Sequence, residues 1–133
     1  MAVKRYNGSG WDTVAGLGAQ GATGATGPSG DPTLTINAQT ASYTLVLSDA
    51  SKLVEISNAS ANTVTIPLNS SVAFPTGTQI NILQTGAGQT TIAGTSGVTL
   101  NSTPGAKLRA QWSAATLIKR ATDTWVVVGD LSA

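Results

Sequence analysis

Thr63-Val64-Thr65-Ile66-Pro67-Leu68 and Thr78-Gln79-Ile80-Asn81-Ile82-Leu83-Gln84 decide the fold. In both, polar and apolar side chains alternate with period two, which puts Val64, Ile66 and Leu68 on one face and Thr63 and Thr65 on the other. Ile80 and Ile82 oppose Gln79 and Asn81 in the same way. Working outward, runs of this kind recur about every ten residues, at 33–38, 42–47, 53–57, 90–93, 97–102, 106–112, 115–121 and 124–129. No helical period competes. The separators are turn formers: Ser48-Asp49-Ala50-Ser51, Asn58-Ala59-Ser60-Ala61-Asn62, Pro75-Thr76-Gly77, Thr85-Gly86-Ala87-Gly88, Thr103-Pro104-Gly105 and Thr122-Asp123-Thr124. Short strands so spaced predict an all-β domain over 33–133, a jelly-roll-like β-sandwich.

The chain changes character near residue 32. Up to there Leu, Ile, Val and Phe number three in 32 residues, too few to build a core; from Thr33 to Leu131 they number 26 in 99. In the first part Gly18, Gly21, Gly24, Gly27 and Gly30 fall in one three-residue register, five Gly-X-Y triplets in succession. The period has a steric meaning only when three polyproline-II chains wind together, because the shared axis has room for a hydrogen atom alone. Residues 18–32 therefore predict a collagen-like triple-helical stalk and a homotrimer. A flexible Gly/Ala/Thr linker is the competing reading, and Gly8, Gly10 and Gly16 fall outside the register. Ahead of the stalk, Asn7-Gly8 joins two short runs carrying Tyr6 and Trp11, a hairpin signal. An isolated hairpin is marginal in water, so its aromatics point to burial against another body. Residues 1–17 read as a docking peptide centred on Tyr6, Asn7, Gly8 and Trp11, against a disordered start as the plain alternative.

Composition closes off much chemistry. The 133 residues contain seven Lys or Arg, six Asp or Glu, no His and no Cys. The near-zero charge argues against a nucleic-acid or membrane-surface binder, and no apolar run approaches a membrane span. Without His or Cys the chain lacks the usual general base, the thiol nucleophile and the common ligands of zinc and haem, so we expect no enzyme activity and no cofactor or metal. No segment reads as an export signal. Between Glu55 and Lys107 lie 51 consecutive uncharged residues. Such surfaces tolerate burial against another protein, and they agree with the trimer.

The leader Lys4-Arg5-Tyr6-Asn7-Gly8-Ser9-Gly10-Trp11, the triplets after it and the Ser/Thr-rich β domain together resemble collagen-containing bacteriophage virion proteins. Residues 43–54, 74–80 and 125–131 look like the C-terminal module of such tail-fibre and structural proteins. The resemblance implies a non-enzymatic, trimeric appendage on the virion surface: the N-terminus attached to another capsid or tail protein, the stalk projecting, the β domain an outer knob. The shortness of the chain favours a short fibre or a head-decorating protein.

Among side chains of the domain, Lys107, Arg109, Trp112 and Trp125 are candidate ligand contacts, a cationic and aromatic set suited to a host-surface saccharide. Lys119 and Arg120 extend the cationic patch. The plainer expectation makes the charges rim residues that keep strand edges unpaired and places both tryptophans in the core or a subunit interface. The acids Asp49, Asp123 and Asp130 fall at turns or strand ends, where Asp bonds nearby backbone. A hydrolase pair of carboxylates is the remaining enzymatic alternative.

Overall fold

A computed structural model describes residues 33–133. The expected docking hairpin and Gly-X-Y stalk lie outside the described residues. Eleven strands form from this part: β1 Ile36–Gln39, β2 Tyr43–Thr44, β3 Leu53–Ile56, β4 Asn62–Ile66, β5 Gln79–Gln84, β6 Thr90–Gly94, β7 Thr99–Asn101, β8 Lys107–Leu108, β9 Ala114–Ala121, β10 Thr124–Gly129 and β11 Leu131–Ser132, with one 3-10 turn at Leu47–Asp49. They build two mixed sheets, a six-stranded one in the order β1-β3-β5-β9-β10-β7 and a five-stranded one in the order β11-β8-β6-β4-β2. The all-β sandwich is thus as the alternation implied. Ten expected strands have counterparts, and β11 was not anticipated.

Period two sets the core. Val54 and Ile56 on β3, Ile80 and Ile82 on β5, and Leu117 on β9 face Val64 and Ile66 on β4, Ile92 on β6 and Leu108 on β8, all buried in one cluster. Each such side chain contributes about 1.5–3 kcal/mol by leaving water. Trp125 joins them, edge-on to Phe74 with ring centroids 5.5 Å apart.

The winding differs from the expected jelly roll. Jelly rolls are antiparallel, whereas here β1, β3 and β5 run parallel in one sheet and β2, β4 and β6 run parallel in the other. Consecutive strands alternate between sheets, so each crossover that a parallel pair requires is itself a strand of the opposite sheet rather than a helix. The chain makes three such turns and then closes with the antiparallel β9–β10 hairpin, whose outer side takes up β7 in parallel. Several expected strands are also shorter, two of them cut to two residues. The 42–47 run stops at Thr44, because the Asp49 carboxylate accepts the Val46 N–H at 2.9 Å and turns the chain. The 106–112 run stops at Leu108, where the Ser113 N–H to Ala110 C=O bond of 3.0 Å closes a turn.

Buried polar groups are spent on joining elements. Asp49, fully buried, also accepts from Asn37 Nδ2 at 2.7 Å and Tyr43 Oη at 2.8 Å, tying β1, β2 and the 3-10 turn together. Lys119 is a correction to the sequence reading: it belongs to no surface patch. It is 3% exposed, and its ammonium donates to Asn69 Oδ1 and Phe74 O, clasping the 67–78 loop; only Arg120 of that pair is exposed. Asp123 bonds not its own turn but the Asn69 N–H, at 2.6 Å, so the β9–β10 turn fastens the same loop.

Candidate functional site

The most distinctive surface feature is the turn at 110–113 between β8 and β9. Its positive φ is confined to the third residue, Trp112, at 74°. This is the type II arrangement, whose third position normally falls to Gly, since a Cβ there is strained. A bulky aromatic held in the left-handed region persists only where its surroundings determine it. Those surroundings are explicit. The Trp112 N–H donates to Gln84 O at 2.7 Å, the Gln84 N–H to Ser113 O at 3.0 Å, and Gln111 Nε2 to Thr85 O at 2.9 Å. The far side is fixed by Asp130: Arg109 grips it in a fork, Nε to Oδ1 at 2.7 Å and Nη2 to Oδ2 at 2.8 Å, while Ser113 Oγ donates to Oδ2 at 2.6 Å and accepts the Ala110 N–H at 3.0 Å. The fork and then the serine hold the Asp130 carboxyl below its ordinary value, and the same bond raises the Arg109 guanidinium.

The result is a rigid turn presenting an indole that is 66% exposed. Its face is available to stack on a flat apolar partner such as a pyranose ring.

The four candidate contacts therefore separate. Trp112 is exposed, in a turn rather than the expected strand. Arg109 lies beside it in sequence, but its guanidinium is committed to Asp130. Lys107 is exposed on the outside of the five-stranded sheet, between Thr91 and Ser132 in register. Trp125 is 1% exposed: it occupies an inward position of β10 and packs edge-on against Phe74, as the plainer expectation had it. The sequence reading missed Ser113, Gln84 and Asp130 as supports of the turn. Nothing local marks them, since the bonds that tie Gln84 and Asp130 to the turn join residues 17 to 29 positions apart in the chain.

Among the described residues no group of three or more His, Cys, Asp and Glu is placed to hold a metal ion, and no helix is long and apolar enough to cross a membrane. Comparison with family models, curated proteins and solved structures finds no match.

Proposed function

We propose that the chain is a homotrimeric, non-enzymatic bacteriophage virion protein, a short fibre or capsid-decorating protein that docks through residues 1–17 and carries the sandwich outward on the 18–32 stalk. The observation that carries this reading is the run of five in-register Gly-X-Y triplets leading directly into a charge-poor β-sandwich. The use made of the acids supports the same reading. Asp49, Asp123 and Asp130 accept hydrogen bonds that hold turns and loops, and Arg109 neutralises Asp130, which leaves these carboxyls engaged in structure. The test is sedimentation of the full chain together with electron microscopy of intact particles. The expected outcome is a trimer, located on the virion surface, whose attachment is abolished by removing residues 1–17. A monodisperse monomer would falsify the reading.

Trp112 favours a second reading, a receptor-binding fibre tip that recognises a host-surface glycan. A glycan array probed with the full chain and with Trp112→Ala separates the two. Binding that disappears in the variant supports the tip; no binding by either protein leaves attachment and decoration as the role.

A further inference from the structure

The two sheets turn unlike faces outward. On the five-stranded sheet, the outward positions in register are Thr44, Thr65 and Ala93 in one row, and Thr63, Thr91 and Lys107 in the next. These are mainly hydroxyls with a cation at the end. On the six-stranded sheet the outward positions mix the apolar Ile36, Leu53, Leu83, Ile118, Val126 and Val128 with uncharged polar side chains such as Gln79 and the bonded pair Asn81 and Thr116, and Glu55 is the one charge among its paired outward positions. Its exposed large apolar side chains lie near opposite sides of the sheet, at Leu34 (43%) and Ile36 (56%) on the β1 side and Val128 (50%) on β10.

Strand β1 is inside out. Ile36 and Ala38 face solvent while Asn37 and Gln39 face inward, where Asn37 bonds Asp49 and Tyr43, and Gln39 Nε2 donates to Asn37 Oδ1 at 2.8 Å. A one-residue slip would bury Ile36 and expose the amides, so the polar cluster holds the less favourable face to water against the hydrophobic pattern. Such a strand makes sense where its outward face is covered by something else. At the opposite side of the sheet, the β7–β10 ladder ends at Asn101 and Val126, and beyond it an open depression of about 280 Å³ lies between residues 101–103 and 126–129.

We propose that this outer face is the contact surface between copies of the chain, with the β1 ridge of each copy seated in the β7–β10 depression of the next. The inference rests on the trimeric reading and specifies how the trimer closes. A threefold ring cannot use one self-complementary patch; it must join two different patches on each subunit. This sheet supplies two, an uncharged ridge and an uncharged depression near opposite edges. Chain length selects the ridge. Leu34 follows Gly30 by four residues, which span at most about 14 Å, so a triple helix delivers β1 of each copy close to the shared axis. The Thr-rich face is left for solvent.

The chain contains no cysteine, so introduced thiols report alone. Full-length chain carrying Ile36→Cys and Val128→Cys together, under mild oxidation, is expected to run as a covalent trimer on a non-reducing gel, and each single variant at protomer mass. In the unoxidised trimer, maleimide should label Ile36→Cys about tenfold more slowly than Thr44→Cys, which lies on the solvent-facing sheet. All three positions are exposed in the subunit, and circular dichroism of each variant checks the fold. A trimer whose double variant stays unlinked and whose thiols all label at one rate overturns this interface while leaving the trimer standing. Cross-linking by Ile36→Cys alone overturns the ridge-to-depression pairing. A wild-type monomer removes both the interface and the trimeric reading.

Discussion

Replacing Asp49 by Asn isolates the force that turns β1 inside out. The carboxylate is fully buried and accepts three hydrogen bonds, from Asn37 Nδ2 on Oδ1 and from Tyr43 Oη and the Val46 N–H on Oδ2. Asparagine keeps the volume but has one acceptor oxygen. Turned one way, its amide nitrogen opposes Asn37 Nδ2; turned the other, it opposes the Val46 N–H, which cannot rotate aside. In either case one part-buried donor loses its acceptor, or Asn37 turns its own amide and gives up the bond from Gln39 Nε2. Hydrogen bonds to a charged group contribute about 1.5–3 kcal/mol and an orphaned donor costs about 1–3 kcal/mol, so the expected loss is about 2–4 kcal/mol. For a domain of this size that lowers Tm by on the order of 10–20 °C. Urea unfolding followed by circular dichroism reads the loss, at one fixed protein concentration because the proposed association of copies would make unfolding depend on it. A cycle with Tyr43→Phe should show coupling of about 1 kcal/mol, since both changes act on one network. If Asp49→Asn stays within about 0.5 kcal/mol of wild type, the network does not hold the strand, and the reasoning about β1 fails.

The pH dependence of this network has a definite sign. Burial, and then the bond to Asp49, raise the Tyr43 phenol above its ordinary value of 10.0. Its contribution to stability is therefore complete below that value and is lost as pH rises through the higher folded-state pKa; alkaline melts should fall more steeply for wild type than for Tyr43→Phe, and parallel curves would contradict the assignment. At the surface, Trp112→Gly removes left-handed strain of about 1–2 kcal/mol and adds a glycine penalty of about 0.5–1 kcal/mol, so stability should hold or rise slightly while any glycan binding disappears. A clear loss of stability would mean that Trp112 packs rather than presents. Gly129→Ala should cost about 2–3 kcal/mol by thermal melt, because at φ 149° its Cβ would meet Ala114 O at 2.5 Å and Ala115 Cα at 2.6 Å, backbone atoms that yield only if the β9–β10 ladder parts. Retention of wild-type stability would show that the ladder has slack.

The alternation in residues 63–68 and 78–84 was enough to place strands and most of the core, since side chains on a pleated backbone must fall alternately to either side. The turn formers fixed most boundaries, and the composition gave the neutral, charge-poor surface. The candidate site was less legible. Trp112 and Trp125 look alike in sequence, each in an apolar neighbourhood, and only the β10 register against β9 and the turn closed by Ser113 and Ala110 bury one and expose the other. Lys119 and Arg120 are adjacent cations, and only the packing of the 67–78 loop, whose Asn69 Oδ1 and Phe74 O accept the ammonium, shows that the inward position after Leu117 can hold a lysine while Arg120 stays outside.

Amino-acid order alone establishes that this domain is built of strands and that each strand has two chemically distinct faces; that much follows from covalent geometry. Which face turns inward, and whether neighbouring strands run parallel, were decided by the tertiary structure. Period two fixes the relative phase of side chains along a strand but not its sign, and in β1 the sign was set by Asp49 and Tyr43, whose hydrogen-bonding demand in the interior outweighed the burial of Ile36.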